Sequence, residues 1–222
     1  MIILLFAGIA AGLIHVLSGP DHLAAIAPLA TKYPQRAWIA GLRWGAGHAS
    51  GVVFVGILSL LLRGILPVDL ISSWSDRLVG VLLIGIGIWA LRKALQIHTH
   101  EHEHGDKEHA HIHMHAPNAA HEKPHVHTHA AFGIGTLHGL SGSSHFLAII
   151  PALALPSNAQ AVAYLGCYSL GTVVAMIAFA AIIGSVSTRF AKRGARLYRG
   201  MLFACSAVAI FVGTAWLVGF SF

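Results

Sequence analysis

Residues 12–28 read Gly-Leu-Ile-His-Val-Leu-Ser-Gly-Pro-Asp-His-Leu-Ala-Ala-Ile-Ala-Pro, and residues 135–151 repeat the pattern as Gly-Thr-Leu-His-Gly-Leu-Ser-Gly-Ser-Ser-His-Phe-Leu-Ala-Ile-Ile-Pro. Nine of the seventeen aligned positions are identical, among them His15/His138, Ser18/Ser141, Gly19/Gly142, His22/His145 and Pro28/Pro151. Two apolar helices agree readily in Leu and Ala; agreement in His, Ser, Gly, His and Pro together points to a duplicated structural unit. Each copy is an apolar run broken by a short polar insert. Ser18-Gly19-Pro20 and Ser141-Gly142 are the breaking residues, because Pro lacks a backbone donor and Gly is conformationally permissive. Pro20 suits the first turn of a new half-helix capped by Ser18 or Gly19, with the preceding half-helix ending near His15.

The surrounding sequence is that of a membrane protein. Of 222 residues, 56% are hydrophobic and only 10% charged, against roughly a quarter charged in soluble domains. The apolar residues form long blocks rather than one-sided stripes, which predicts helices that cross a bilayer. Six spans are expected, over residues 2–30, 37–62, 77–95, 131–155, 159–186 and 198–220, with a polar tract over 97–130. The N-terminal run lacks a basic leader and passes directly into the first motif, so it is read as a mature helix. Cys167 and Cys205 lie in apolar stretches without a CxxC pattern and are read as small hydrophobes.

The net charge of +6 reports orientation rather than affinity for nucleic acid. Lys32, Arg36, Arg43, Arg92, Lys93, Lys107, Lys123, Arg189, Lys192, Arg193, Arg196 and Arg199 cluster on one side, and only Arg63 and Arg77 on the other. The positive-inside rule then places both termini outside and the tract in the cytoplasm, as in a multi-pass plasma (inner) membrane protein. The second motif follows the first by three spans and so enters from the opposite face. The expected fold is therefore all-α: six transmembrane helices as two inverted three-helix repeats, 1–96 and 131–222, each with a broken first helix, joined by the tract 97–130.

The ionisable residues of the motifs are the candidate site. An unpaired carboxylate at a helix centre costs at least ~2.5 kcal/mol on insertion scales, so Asp21, the only acidic residue inside an expected span, needs a bound cation or protonated histidines beside it. Intramembrane His15, Asp21, His22, His138 and His145 are read as metal ligands in preference to helix-packing groups. His48, in Gly45-Ala-Gly-His48-Ala-Ser-Gly51, is a sixth candidate; setting Gly51 against Gly171 puts Tyr168 opposite it in the second half.

Twelve histidines occupy the tract: His98, His100, His102, His104, His109, His111, His113, His115, His121, His125, His127 and His129. Neutral imidazole takes zinc, copper, nickel and cobalt, so the tract is read as auxiliary cytoplasmic metal-binding sequence, weak and plural, without regular structure. Two formal HExxH matches, His100–His104 and His121–His125, fall in this low-complexity setting and are read as chance, since the zincin mechanism needs both histidines on one helical face.

Together, Gly-Leu-Ile-His-Val-Leu-Ser-Gly-Pro-Asp-His-Leu resembles the signature of the nickel/cobalt transporter superfamily, in its short six-helix branch that includes urease-accessory nickel permeases. The family's His followed by Asp-His maps onto His15, Asp21 and His22. The resemblance implies transport of Ni2+ or Co2+. The residues themselves support a divalent metal that accepts imidazole and one carboxylate, Zn2+ included. The expected activity is alternating access by rocking of one repeat against the other, direction open, with no resident cofactor and no enzymatic step. Expected partners are membrane lipid, the metal ion and a cytoplasmic metallochaperone. An anion or small-metabolite exporter, a zinc carrier of another family and an intramembrane metalloprotease are the rival readings.

Overall fold

The computed structural model describes residues 1–32, 34–62, 68–103, 108–114, 128–140 and 145–220, with backbone alone over 32, 68–73, 75–76, 97–103, 108–114, 128–129 and 145–147. The elements in chain order are α1 (Ile2–Ser18), α2 (Pro20–Lys32), a 3-10 turn (Pro34–Arg36), α3 (Ala37–Leu61), α4 (Val68–Leu95), β1 (Ile97–Glu103), β2 (Glu108–Met114), α5 (Thr128–Leu140), α6 (His145–Leu153), α7 (Asn158–Arg193) and α8 (Ala195–Leu217).

Among the described residues, four helices are long and apolar enough to cross a membrane: the stretch Pro34–Leu61, Arg77–Leu95 within α4, α7 and α8. The pair α1–α2 makes a fifth candidate, bent by 74° at Gly19. The segment expected as the fourth of six spans is instead two short helices, α5 and α6, with the intervening 141–144 outside the described residues. Ser141 and Gly142 fall in that interval. The chain is a multi-pass helical membrane protein. Large side chains such as Phe6, Phe54, Val81, Ile182 and Phe211 are exposed on its helices, as lipid-facing residues would be.

Helix association in a membrane relies on close packing by small residues, because apolar lipid offers helices no hydrophobic drive to pair. Glycine seams carry that role here. On α1, a Cβ added to Gly12 would strike the Tyr168 carbonyl, and one on Gly8 would lie 2.8 Å from the Tyr164 carbonyl oxygen. A Cβ on Gly171 of α7 would in turn strike the Ile9 carbonyl. On α3, Gly47 meets the Phe132 carbonyl and Gly51 the backbone of Gly139, while Gly135 and Gly139 of α5 meet the carbonyls of Trp44 and His48. Gly80 of α4 and Gly213 of α8 face each other's backbone. Thus α1 packs on α7, α3 on α5 and α4 on α8, so each seam joins one half of the chain to the other.

A buried apolar core including Val16, Ile26, Trp44, Leu83, Met176 and Trp216 fills the space between the helices. The α7–α8 corner turns at Gly194, whose φ of 133° is one that residues with a Cβ rarely adopt. At the far end of α2, the Tyr198 hydroxyl donates to the Thr31 carbonyl at 2.8 Å, satisfying one of the carbonyls a helix C-terminus leaves open. Tyr198→Phe is expected to lower stability by about 1 kcal/mol, read as a drop in the unfolding midpoint of the detergent-purified protein.

One expectation is corrected in the polar tract. Regular structure was not predicted there, yet β1 and β2 pair antiparallel, from Ile97 opposite Met114 to Glu103 opposite Glu108. Strict alternation with β-branched Thr99 and Ile112 at the intervening positions is a strand pattern that the compositional reading overlooked. His104, His115, His121, His125 and His127 lie outside the described residues, and His129 lies in the first turn of α5.

Candidate metal centre

The break between α1 and α2 builds the centre. Helix α1 runs to Ser18, one turn beyond the expected end near His15, and the Gly19 amide still donates to the His15 carbonyl at 3.1 Å. Gly19, rather than Ser18, then starts the next helix: its carbonyl accepts from the amides of His22 (3.2 Å) and Leu23 (3.4 Å). The Ser18 hydroxyl is occupied elsewhere, donating to the Ile14 carbonyl at 2.7 Å. Gly19 is required for space, not for an unusual φ, which is −89°. A Cβ there would strike Nδ1 of His22 and lie 2.8 Å from Oδ1 of Asp21. Gly19→Ala is therefore expected to displace His22 and lower metal affinity at least ~10-fold, while Ser18→Ala leaves it unchanged; calorimetric titration with Ni2+ reads both.

Five candidate residues meet at this break. His22, His48, His138 and Asp21 are 0%, 0%, 1% and 2% exposed, and His15 is buried beside them. Asp21 accepts two hydrogen bonds, from His22 Nδ1 to Oδ1 at 2.9 Å and from His138 Nε2 to Oδ2 at 2.8 Å. An ionised carboxylate only accepts, so both imidazoles present N–H to it. These two donors, one from each sequence repeat, are the offset that a buried carboxylate requires.

The tautomer of His22 follows. With its proton on Nδ1, neutral His22 carries a lone pair on Nε2, which faces Nε2 of His48 at 3.3 Å. The His15 ring packs on both, 4.5 Å from His22 and 5.6 Å from His48 between centroids. Ligand atoms of His15, His22 and His48 lie within 4.8 Å of one another, and so do those of Asp21, His22 and His138. His22 belongs to both groups, with Nδ1 bonded to Asp21 and Nε2 facing His48. The first suits a cation better: its two imidazoles are joined by a neutral bond, His48 Nε2–H donating to His22 Nε2, which yields more readily than the two bonds to the Asp21 carboxylate.

Asp21 stands differently toward the two groups: it is a member of the second. In the first group it sits behind His22, where a carboxylate on the far ring nitrogen fixes the tautomer and raises ligand basicity. His48 belongs to the cluster. His145 opens α6, and its side chain is outside the described residues.

Two aromatic residues complete the walls. Trp44, fully buried, stacks on His48 at 5.1 Å with 7° between planes and meets His138 at 5.1 Å and His22 at 5.7 Å. Tyr168 lies 5.5 Å from His15. Trp44 is not among the residues expected at the site, although its position one helical turn before His48 puts both on one face of α3. Tyr168 was reached only by a weak repeat alignment, and the structure sets it against the histidine of the first motif.

Comparison with known proteins bears on these features. A family described as the cytochrome C biogenesis protein transmembrane region matches residues 3–209. Among curated proteins, Chloroplast protein FOR GROWTH AND FERTILITY 1 of Arabidopsis thaliana is 34% identical over 93% of this chain and 56% of its own length. FOR GROWTH AND FERTILITY 2 of the same plant is 33% identical over 95% of the chain and 55% of its length. The chain therefore spans a little over half the length of these relatives. Urease accessory protein UreH of Bacillus sp. (strain TB-90) is 26% identical over 84% of the chain and 78% of its own length. No solved structure matches. With the match running through nearly all of the described helices, this chain belongs to the family of the cytochrome C biogenesis protein transmembrane region.

Proposed function

We propose that this protein carries a divalent transition-metal cation, Ni2+ or Co2+, across a membrane through the histidine cluster at the α1–α2 break. The observation that carries the reading is the 3.3 Å between Nε2 of His22 and Nε2 of His48. Two imidazole nitrogens on one tetrahedral cation, each about 2.0–2.1 Å from it, stand about 3.3 Å apart. The pair is thus spaced as ligands, with His15 as the third donor and Asp21 holding His22 from behind. The first-motif resemblance and the urease accessory relative support the metal assignment; Zn2+ remains an acceptable cargo for the same donors.

The chain's residues supply binding, orientation and exclusion of lipid. His15, His22 and His48 replace part of the ion's hydration shell, Asp21 orients His22 and is itself held by His138, and Trp44 seals one wall. The activity is that of a carrier, not of an enzyme. The inverted-repeat reading draws support from the duplicated motif and from the reciprocal seams, in which the first helix of each half packs on a long helix of the other. Those seams also refine the expected motion. A sequence half that rocked as a unit would have to part α1 from α7 and α3 from α5, so movement at the break after Ser18 fits the packing better than rocking of whole halves.

Six spans, termini outside and a cytoplasmic tract in the plasma (inner) membrane complete the proposal, with the tract collecting metal or passing it to a metallochaperone. Transport into proteoliposomes of both orientations, with and without residues 97–130, tests it. Movement of Ni2+ or Co2+ is expected in the intact chain. If neither metal moves in either direction and neither binds, the reading fails.

A further inference from the structure

The antiparallel pairing of β1 and β2 has a consequence for the histidine tract. Its register sets His98 opposite His113, His100 opposite His111 and His102 opposite His109. Successive residues of a strand alternate between faces, so these six positions share one face of the ribbon. The other face takes Ile97, Thr99, Glu101 and Glu103 of β1 with Met114, Ile112, Ala110 and Glu108 of β2. Segregation is complete: every histidine of both strands falls opposite another histidine, and none opposite a different residue type. A slip of one residue would set each histidine against a non-histidine and move one strand's set to the other face. The alternation of the sequence and the register of the hairpin therefore agree on a single arrangement.

We propose that this hairpin is a three-rung histidine ladder, each rung binding one divalent transition-metal cation. Directly opposed residues have Cβ atoms about 4.5–5.5 Å apart, a spacing from which two imidazoles reach one ion. Rungs recur about 6.8 Å along the strands, two residues at about 3.4 Å each, so neighbouring ions are not forced together. The donor set, neutral imidazole without thiolate, selects Ni2+, Cu2+, Co2+ and Zn2+ over Mg2+ and Ca2+. A pair of imidazoles supplies two donors, which leaves the other positions of an ion to water and the ion free to leave. The tract thus holds defined, paired sites rather than a diffuse imidazole supply. This inference does not rest on transport through the buried cluster.

The test uses the full chain in detergent, Ni2+ alone as probe, and metal counted after equilibrium dialysis. In His100→Asn/His111→Asn both members of one rung are lost, so bound Ni2+ should fall by about one equivalent. In His98→Asn/His111→Asn one member of each of two rungs is lost, so it should fall by about two. A His22→Ala chain, with the buried cluster impaired, should show the same difference, which separates failure of the ladder from failure of the carrier reading. Amide exchange over 97–114 should also slow when Ni2+ is added. Equal losses in the two double variants, or no loss in either, would overturn the ladder.

Discussion

His22→Ala should lower Ni2+ and Co2+ binding at the buried cluster by at least ~100-fold and abolish their transport into proteoliposomes, because it removes the one ring that both candidate ligand groups share. Asp21→Asn is the more informative variant. It keeps the shape and one oxygen, so it retains an acceptor for His22 Nδ1 or His138 Nε2 but loses the charge behind the ring. Partners that orient a ligating histidine typically contribute 10–100-fold to metal affinity. Asp21→Asn is therefore expected to weaken binding by ~10–100-fold with three histidine nitrogens still on the ion. X-ray absorption of the Co2+ complex separates the roles: an unchanged imidazole count with weaker binding places Asp21 behind His22, whereas loss of an oxygen scatterer would make it a direct ligand. If His22→Ala transports normally, the cluster is not the path, and an anion or small-metabolite exporter becomes the better reading.

Gly139→Ala should be the most damaging small change outside the cluster. A Cβ at Gly139 would strike the carbonyl oxygen of His48 and lie 2.9 Å from its carbonyl carbon and its Cα. The obstacle is backbone on both sides, so no flexible side chain can yield. Overpacking of this kind costs about 3 kcal/mol, and here the displaced backbone carries a candidate ligand. A lower unfolding midpoint together with weakened Ni2+ binding is expected. Gly133→Ala and Gly166→Ala are the controls, since a Cβ at either position meets nothing within 4 Å. Because Gly→Ala in a helix interior raises helix propensity, the two controls should be neutral or stabilised, and destabilisation by all three substitutions alike would remove the seam as its cause.

The legible part of this protein follows from local chemistry. A helix that contains Ser-Gly-Pro must break, and the structure bends α1–α2 by 74° at Gly19. A carboxylate in an apolar run must have partners, and Asp21 has two. His15, His22 and His138 were legible for the same reason, being ionisable groups where ionisable groups are costly. Local reasoning misplaced the details of the break. Ser18 was a candidate cap because its type favours caps, but its hydroxyl bonds back to Ile14, leaving Gly19 to open α2. In the tract, composition outweighed periodicity, and the strand alternation of residues 97–103 and 108–114 passed unused.

By itself the sequence determined the class of the protein, the duplicated motif, the position of the break and the residue types at the buried cluster, because each of these depends on the chain's own hydropathy and backbone preferences. Tertiary structure decided who meets whom. His48 of α3 meets His138 of α5, 5.4 Å between ring centroids, because Gly47, Gly51, Gly135 and Gly139 let the two helices approach to backbone contact. His138 in turn reaches Asp21 of α2 across 117 positions of sequence. Trp44 becomes a wall of the site through the face of α3 that those glycines turn inward. Such contacts depend on distances between helices, which no single helix encodes, and the placing of Asp21 against Nδ1 of His22, with Nε2 left to face His48, is a property of that packing alone.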